Sequence, residues 1–541
     1  MKKFFLLAGL MLLTSCATLQ NSKKQNFNWE GANVYFLLTD RFENGDKSND
    51  VNFGRTDKAA VLRGFEGGDL RGIINKIDDN YFLNLGINAI WMTPLVEQIH
   101  GGTDEGTGRT YGFHGYWTKD WTELDPNFGT KAELKELVDK AHAKGIRIVL
   151  DAVINHTGPV TNVDPIFPES WVRTSPQCAY DSYINTTACT LVKNLPDILT
   201  ESNVAAELPE QLIQKWKKEG KYEAEMKSLD AFFARTGYPR APKYYIMKWL
   251  ADYVQDYGID GYRVDTVKHT NEDVWKDFRQ VCQESFDIYK RNNPSKVLDN
   301  NLFFTVGEVY GYGISQKQNY DFGDKKVNYY ENGFKSLINF DFKGDANKPY
   351  EELFSNYSNQ LHSDLNGKTV MNYLTSHDDG SPFDKERERT YEAATKLLLT
   401  PGISQVYYGD ETARNLTIAG AAGDATLRSN MNWSDVKYNS GTQQLLTHYQ
   451  RLGKFRANHP AVGAGVHKMI SEKPYWFTRI FQNDTVLIGL NLASGLKTVD
   501  VQGIFENGTV LRDAYSGKTT KVQNGKAEII SEFSLVLFER L

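Results

Sequence analysis

The nine residues 261–269, Gly-Tyr-Arg-Val-Asp-Thr-Val-Lys-His, decide how the rest of the chain is interpreted. They follow a helical pattern and a Gly-Ile-Asp turn, so they are predicted to form a strand that runs into a loop. Side chains alternate along a strand, which puts Arg263 and Asp265 on one face. A guanidinium so close keeps a carboxylate ionised, as a carboxylate nucleophile requires. The alternative is a surface ion pair at a strand end, and the other motifs decide between the two.

Composition narrows the class of function. The 541 residues carry a net charge of −6, and no basic block occurs, so nucleic acid is not an expected partner. Aromatic residues make up 13% of the chain, and their rings suit stacking on sugars, although most rings pack in cores. A neutral small molecule or polymer is the expected ligand, and the chain is expected to act as a monomer.

Residues 1–16 are predicted to be a signal peptide that is not part of the fold. Two lysines precede the apolar run 4–13, which is too short to span a bilayer. The following Leu-Thr-Ser-Cys resembles a bacterial lipoprotein signal. It implies cleavage before Cys16, lipidation of its thiol, and export to face the periplasm or the cell surface; a plain secretory signal is the alternative. Residues 17–30 would be a tether, and contact with the membrane is expected only through the lipid anchor.

The other cysteines suit an oxidising compartment. Cys178 and Cys189 lie in one loop-rich region and are predicted to close a short disulfide loop. Cys282 lies in an amphipathic helical pattern and is predicted to be a buried thiol.

Short apolar strands alternate with amphipathic helices from residue 33 onward. Residues 130–133 form a capping box that opens one helix, and the strand after it is almost continuously apolar, as in parallel sheets covered on both faces. Eight strands are predicted, the number typical of a (β/α)8 barrel: 33–38, 87–92, 146–153, a strand that begins at Gly261, 302–309, 336–342, 369–374 and 403–408.

Two regions depart from this alternation. Clusters of Pro, Gly, Ser and Asn predict a subdomain inserted after the third strand, and from about residue 461 only strands and Gly/Asn turns remain. The predicted fold class is therefore α/β: a TIM barrel of residues 31–155 and 241–460, an inserted domain, 156–240, and a C-terminal all-β sandwich domain, 461–541.

Acidic residues recur where the predicted strands end. Asp151 lies on the third strand, Asp265 ends the fourth, Glu308 ends the fifth and Asp378 follows the seventh. In a (β/α)8 barrel, the C-terminal ends of the strands carry the catalytic groups. This recurrence argues against an incidental ion pair and predicts an enzyme site with several carboxylates.

With these positions in place, the sequence resembles the α-amylase family, glycoside hydrolase family 13, from about Val34 to the C-terminus. Residues 151–156 match its D-x-x-x-N-H motif, residues 261–269 match G-[FY]-R-x-D-x-x-K-H, and residues 377–378 match its H-D pair. The shorter matches are His114–Trp117, Leu195–Asp197, Glu308 in the fifth strand, Gly402–Glu411 and, partially, Arg428–Trp433.

The resemblance implies a role for each residue of the site. Asp265 would be the nucleophile that forms a covalent glycosyl-enzyme, Glu308 the general acid and then the base, and Asp378 the stabiliser of the oxocarbenium-like transition state. In a retaining enzyme the first two carboxyl groups should lie about 5–5.5 Å apart. The residues that the resemblance assigns to substrate binding are Tyr116, His156, Arg263, Lys268, His377 and His114.

Oxygen-rich stretches predict calcium, a hard cation that prefers carboxylate and carbonyl ligands. One stretch resembles the N-terminal calcium site of cyclodextrin glucanotransferases, with a polar turn as the alternative. Its predicted ligands are Asn44, Asp46, Asn49, Asp50, Gly67 and Asp69. The family implies a second Ca2+ between barrel and inserted domain, bound by Asn155, Asp197 and the carbonyl oxygen of His269.

The expected function is that of an exported α-amylase, which hydrolyses internal α-1,4-glucosidic bonds of starch, glycogen and maltooligosaccharides with retention. Ser376 stands where the family usually has Asn, a variant similar to periplasmic α-amylases. The alternatives are a transglycosylating, cyclodextrin-degrading or pullulan-degrading enzyme of the same family, and a starch-binding protein on an inactive barrel. The joint presence of Asp265, Glu308 and Asp378 argues against the last.

Overall fold

The computed structural model describes residues 27–104 and 106–541. Eight parallel strands close into a barrel, each beside its neighbours in the chain. Every residue of these strands is buried, because side chains fill the inside and helices cover the outside. The predicted (β/α)8 barrel is confirmed. The strands are β1 (Asn33–Leu37), β2 (Ala89–Met92), β3 (Arg147–Ala152), β4 (Gly261–Val264), β5 (Phe304–Gly307), β6 (Ser336–Asn339), β7 (Thr369–Tyr373) and β8 (Ile403–Tyr407).

Helices between the strands form the outer layer. The predicted capping box is present: the Thr130 hydroxyl accepts the backbone N–H of Glu133, whose carboxylate accepts the N–H of Thr130. The sequence has helical spacing over residues 70–85, but the structure has two helices there, because Asn80 takes a φ of +60° between them. The helices of the barrel and its loops are Thr39–Phe42, Leu70–Asp78, Tyr81–Asn84, Lys131–Ala143, Pro242–Tyr257, Glu272–Asn292, Phe342–Asp345, Tyr350–His362, Thr390–Leu399, Trp433–Tyr438, Ser440–Asn458 and Pro460–Ala464.

After β3 the chain leaves the barrel, and it returns with the helix Pro242–Tyr257. The segment between them contains the helices Ile184–Thr187, Glu210–Lys218 and Tyr222–Thr236 and a ribbon of Val172–Arg173 with Asp197–Ile198. The sequence predicts one charged helix over 209–227, but Gly220, at a φ of +71°, separates two. The predicted disulfide between Cys178 and Cys189 is present, and the thiol of Cys282 is buried.

Two antiparallel sheets follow the last helix, and an apolar cluster that includes Trp476, Leu487 and Val499 lies between them. The predicted all-β C-terminal region is therefore confirmed. The strands are β9 (Val466–Ser471), β10 (Tyr475–Phe481), β11 (Asp484–Leu490), β12 (Gly495–Asp500), β13 (Val510–Asp513), β14 (Thr519–Lys521), β15 (Lys526–Ser531) and β16 (Val536–Arg540). The larger sheet has the order β9-β10-β11-β16-β13-β14, and β12 pairs with β15.

Three short ribbons project from the barrel loops: Val96–Gln98 with Thr118–Leu124, Thr103–Asp104 with Arg109–Thr110, and Tyr320–Asp321 with Lys326–Val327. In the described part of the chain, none of the helices has the length and apolar character needed to cross a bilayer. The signal peptide, the lipidation at Cys16 and the tether up to residue 26 lie outside the described residues.

Candidate active site

Arg263 lies at the centre of a carboxylate cluster at the C-terminal end of the barrel. In the sheet register it is the neighbour of Asp151 on β3. Its guanidinium, only 1% exposed, lies 3.0 Å from Asp151, 2.8 Å from Asp265 and 2.8 Å from Glu308. Arg263 and Asp265 thus lie on one face, as the alternation of side chains along a strand requires. One cation is shared by three buried carboxyl groups, so ionising all three at once would cost a large free energy.

The protons of this cluster are divided unequally. Burial raises the pKa of Glu308 to about 8, with Arg263 opposing and the nearby charges of Asp265 and Asp378 adding to the rise. Burial also raises the pKa of Asp265, but only to about 6, because Arg263 lies beside it and Glu308 is within hydrogen-bonding reach. Between these values Glu308 carries a proton and Asp265 carries a charge. An acid and a nucleophile require that division.

Asp378 is the most accessible of the acids. Its side chain is 35% exposed and lies 3.8 Å from the ring of His377. Crowding by protein atoms acts to raise its pKa, but His377, Arg263 and Arg428 lower it below its ordinary value. Asp378 is therefore an ionised carboxylate that opens to the cleft.

Two histidines and a tyrosine line the same cleft. His156 contacts the carbonyl oxygen of Tyr116, and the ring of Tyr116 stacks on that of His377 with a centroid distance of 5.3 Å. Burial lowers the pKa of both histidines to about 4, so they are neutral at pH 7. Among the described residues, the Nδ1 atoms of both are buried without a hydrogen-bond partner. A neutral imidazole ring has one nitrogen that donates and one that accepts a hydrogen bond, which suits contact with hydroxyl groups.

The remaining predicted substrate residues lie on either side of this group. His114 accepts the backbone N–H of Tyr116 at 3.1 Å and is buried, so it supports the tyrosine. Lys268 donates to the carbonyl oxygen of Tyr310 at 3.0 Å and to the hydroxyl of Tyr320 at 3.2 Å. Its ammonium group lies between the two tyrosine rings. It is therefore fixed on the Glu308 side of the cleft.

The sequence motifs give no individual role to three residues that the structure brings into the site. Asp151 accepts hydrogen bonds from Arg263, from the Tyr116 hydroxyl at 2.8 Å and from the Trp91 indole at 3.2 Å. Arg428 donates to the carbonyl oxygen of His377 at 2.8 Å. The signal for Asp151 was available, since a carboxylate on one strand beside an arginine on the next indicates a cross-strand pair. Arg428 begins the partial motif match over 428–433, which does not indicate its partner, and Trp91 carries no comparable signal.

The second predicted calcium site fits a cation. Asn155 Nδ2 lies 2.6 Å from Asp197 Oδ1 and 3.3 Å from the carbonyl oxygen of His269, while Asn155 Oδ1 is buried without a partner among the described residues. Rotating this amide by half a turn would bring three oxygen atoms around one point. A bound cation would stabilise that grouping of oxygens. The other oxygen of Asp197 accepts a hydrogen bond from Arg173 at 2.7 Å.

The first predicted site also gathers oxygens. Asn44 donates to Asp50 at 2.8 Å, and Asn49 donates to Asp69 at 3.3 Å. The amide oxygens of both asparagines are buried without a partner in residues 27–104 and 106–541. Gly67 lies against this group, and a Cβ there would be 2.3 Å from Asn44 Nδ2.

Asp46, predicted as a ligand of the same site, points elsewhere. Its carboxylate accepts hydrogen bonds from the backbone and the hydroxyl of Ser48, because it caps the short helix Lys47–Asn49. Within the described part of the chain, no three His, Cys, Asp or Glu side chains are placed together as a metal site. A cation at either place would therefore depend on amide and carbonyl oxygens as much as on carboxylates.

Comparison with known proteins identifies the family. A model of the α-amylase catalytic domain matches residues 36–465. The chain is 36% identical to the periplasmic α-amylase of Escherichia coli K12 over 89% of its own length and 74% of that protein. It is 27% identical to the cyclomaltodextrin glucanotransferase of Geobacillus stearothermophilus, over 90% of this chain and 62% of that protein.

Solved structures show the same fold. The α-amylase of Geobacillus thermoleovorans, determined as a complex with acarbose, superimposes with a TM-score of 0.67 at 20% identity, over 95% of this chain and 99% of that one. An Anoxybacillus α-amylase gives a TM-score of 0.64 at 23% identity, with 95% and 99% covered. The family-model match and the E. coli relative show that this chain belongs to the α-amylase family of glycoside hydrolases.

Proposed function

We propose that this protein is an α-amylase that hydrolyses internal α-1,4-glucosidic bonds of starch, glycogen and maltooligosaccharides and retains the anomeric configuration. The observation that carries the proposal is the placement of Asp265 and Glu308 against one buried cation, Arg263, with a pKa of about 6 for Asp265 and about 8 for Glu308. A binding protein would have no use for two buried carboxyl groups held in opposite protonation states.

In the first step, the ionised carboxylate of Asp265 attacks the anomeric carbon of the sugar. The bond from that carbon to the glycosidic oxygen breaks as Glu308 transfers its proton to this oxygen, and the leaving sugar departs. In the second step, the carboxylate of Glu308 takes a proton from water, which attacks the same carbon and releases Asp265. Each residue ends in its starting state.

Other residues of the cleft would hold the reacting sugar. Asp378 would accept hydrogen bonds from its hydroxyl groups and stabilise the positive charge of the transition state. The neutral rings of His156 and His377 would contact hydroxyl groups of the same sugar. The ring of Tyr116 would stack on it, and Lys268 would bind the leaving-group side.

Calcium would support this site from a distance. One ion would be held by Asn155, Asp197 and the carbonyl oxygen of His269. A second would be held by Asn44, Asn49, Asp50 and Asp69. A bound ion would supply a fixed positive charge between the barrel and the inserted segment. His269 ends the short helix Val267–His269, so the loop that follows Asp265 would be braced.

Export is part of the proposal. The lipoprotein-type signal ending at Cys16 would send the chain across the inner membrane and anchor it by lipid on the periplasmic or cell-surface side. The disulfide between Cys178 and Cys189 supports an oxidising compartment, and the E. coli relative is named as periplasmic.

Reducing-sugar release from soluble starch tests the enzyme. We expect Asp265→Asn and Glu308→Gln each to reduce the rate by at least about a hundredfold while the melting temperature stays within a few degrees. Substantial activity in either variant would refute the assignment. Product analysis on maltoheptaose, with and without an added acceptor sugar, then separates hydrolysis from glycosyl transfer and internal from terminal cleavage.

A further inference from the structure

Asp378 belongs to a four-residue turn, 376–379, that is held from several sides. Arg428 donates to the carbonyl oxygen of His377, and the N–H of Phe383 donates to the carbonyl oxygen of Leu374 at 3.0 Å, which closes the loop. These two contacts hold the backbone at His377 and at the base of the loop, whereas Asp379 is held by contacts of its own. The Asp378 side chain, which reaches into the cleft and is 35% exposed, needs a restraint of its own.

That restraint comes from Ser376. Its hydroxyl donates to Asp378 Oδ1 at 3.0 Å and accepts the backbone N–H of Asp379 at 3.2 Å. In residues 27–104 and 106–541 this is the one hydrogen bond that the Asp378 carboxylate receives. Because the hydroxyl both donates and accepts, its direction is set by the backbone and cannot rotate freely.

Asp379 fixes the other end of the same chain of contacts. Its carboxylate, in a residue that is 9% exposed, accepts hydrogen bonds from the Tyr373 hydroxyl at 2.7 Å and from Lys343. Its second oxygen accepts the N–H of Ser381 at 3.1 Å. Lys343 comes from the helix Phe342–Asp345, which follows β6, and lies along a 580 Å³ cleft between the loops after β6 and β7. The position of the Asp379 N–H thus depends on the ion pair with Lys343.

We infer that Ser376 and the Lys343–Asp379 ion pair are positioning residues that hold the Asp378 carboxylate in the orientation needed at the transition state. The inference rests on the role given to Asp378 in the proposed function. It also gives a physical meaning to the replacement of the family's usual Asn by Ser. An asparagine side chain has both a donor and an acceptor, as a hydroxyl has, whereas alanine has neither.

The test compares Ser376→Ala with Ser376→Asn and Ser376→Thr. We expect the alanine variant to lose about tenfold to a hundredfold in kcat/KM on maltoheptaose, since a hydrogen bond to a charged group is lost. The asparagine and threonine variants should stay within about threefold of the parent. Lys343→Met should lose about tenfold, whereas Lys348→Met, which breaks a neighbouring exposed ion pair with Asp345, should change nothing.

A second measurement separates positioning from partial unfolding. An iminosugar with a protonated ring nitrogen mimics the charge of the transition state, so its inhibition constant should rise in step with the loss of kcat/KM. A structural defect would lower the active fraction and leave that inhibition constant unchanged, and this result would overturn the inference.

The Asp378→Asn variant distinguishes the inference from the function on which it rests. If Asp378→Asn keeps the parent rate, the role of Asp378 fails. If it is inactive while Ser376→Ala equals the parent in rate and in inhibition, the proposed function stands and the positioning role alone is wrong.

Discussion

Three buried arginines have partners of two kinds: Arg263 lies at the catalytic end of the barrel, and Arg456 and Arg479 lie near the opposite end. At the C-terminal end, Arg263 contacts the carboxylates of Asp151, Asp265 and Glu308. At the opposite end, Arg456 donates to the carbonyl oxygens of Leu398, Thr400 and Gly402. Arg479, on β10, likewise donates to the carbonyl oxygens of Leu399 and Val462. All three side chains are at most 1% exposed.

The difference appears in the pKa values of the arginines. Burial brings the pKa of Arg456 to about 9. Burial, with the nearby charge of Arg456, also brings the pKa of Arg479 to about 9, although Tyr475 and Glu351 oppose it. At Arg263 the carboxylates outweigh burial and hold the pKa well above its ordinary value. Carbonyl groups take up no protons, so the arginines near the C-terminal sheet can only hold chain segments together. The carboxylates around Arg263 do titrate, so the same kind of buried cation there controls chemistry.

The largest effects are expected when Arg263 or Arg479 is replaced. Arg263→Met would leave three carboxyl groups without their cation, which destabilises by about 3–5 kcal/mol and should lower the rate by at least about a hundredfold. Arg479→Met leaves carbonyl oxygens unpaired, at about 1–3 kcal/mol each, and should leave the rate per folded molecule unchanged. Melting curves and active-site titration together measure both quantities. Equal losses of rate in the two variants would contradict the distinction.

The sequence predicts the catalytic end far better than the end next to the C-terminal sheet. The barrel and the convergence of Asp265, Glu308 and Asp378 follow from strand count and motif position. The role of Asp151 depends on the register between β3 and β4, which a pattern along one strand does not contain. Arg456 and Arg479 have backbone partners, which leave no trace in residue identity. One carboxylate oxygen of Asp46 is bound by Ser48, a local competitor that the ligand-like spacing does not reveal.

The next largest effect is expected in the pH dependence of the rate. Asp265 must be ionised and Glu308 protonated, and their pKa values are about 6 and about 8. We therefore expect kcat/KM to be highest between these values, to fall as Asp265 takes up a proton below them, and to fall as Glu308 loses its proton above them. Each unit beyond either limit should cost about tenfold. The profile of Arg479→Met should have the same limits as the parent; a displaced limit would show that the two ends are coupled.

Removal of calcium should have a smaller effect on rate. Excess chelator is expected to lower the melting temperature by several degrees and the rate several-fold, because an ion bound only by the folded state stabilises it. Part of the contact between the barrel and the inserted segment should remain without the ion, since Arg173 donates a hydrogen bond to one oxygen of Asp197. Restoring Ca2+ should restore both quantities. The variants Asn155→Ala and Asn49→Ala separate the two sites, because each should lose the part of the melting-temperature change that its own site causes. If chelator leaves the melting temperature of the parent unchanged, both sites are ruled out.

No change in rate is expected when His459 is replaced, since this residue lies between the barrel and the C-terminal sheet. Its ring contacts Asp484 at 2.8 Å and also Glu539. Burial acts to lower its pKa, but the two carboxylates raise it to about 9. The folded-state pKa thus exceeds the ordinary value of about 6.5, so the stabilisation is complete below pH 6.5 and is lost as the pH rises through 9.

His459→Gln should remove about 1–3 kcal/mol of stability at pH 6 and almost none at pH 9.5, as measured by urea unfolding, with kcat/KM unchanged at both. A variant whose stability deficit persisted at pH 9.5 would indicate lost packing instead of a lost ion pair, and a changed rate would show that protonation near the C-terminal sheet reaches the catalytic carboxylates.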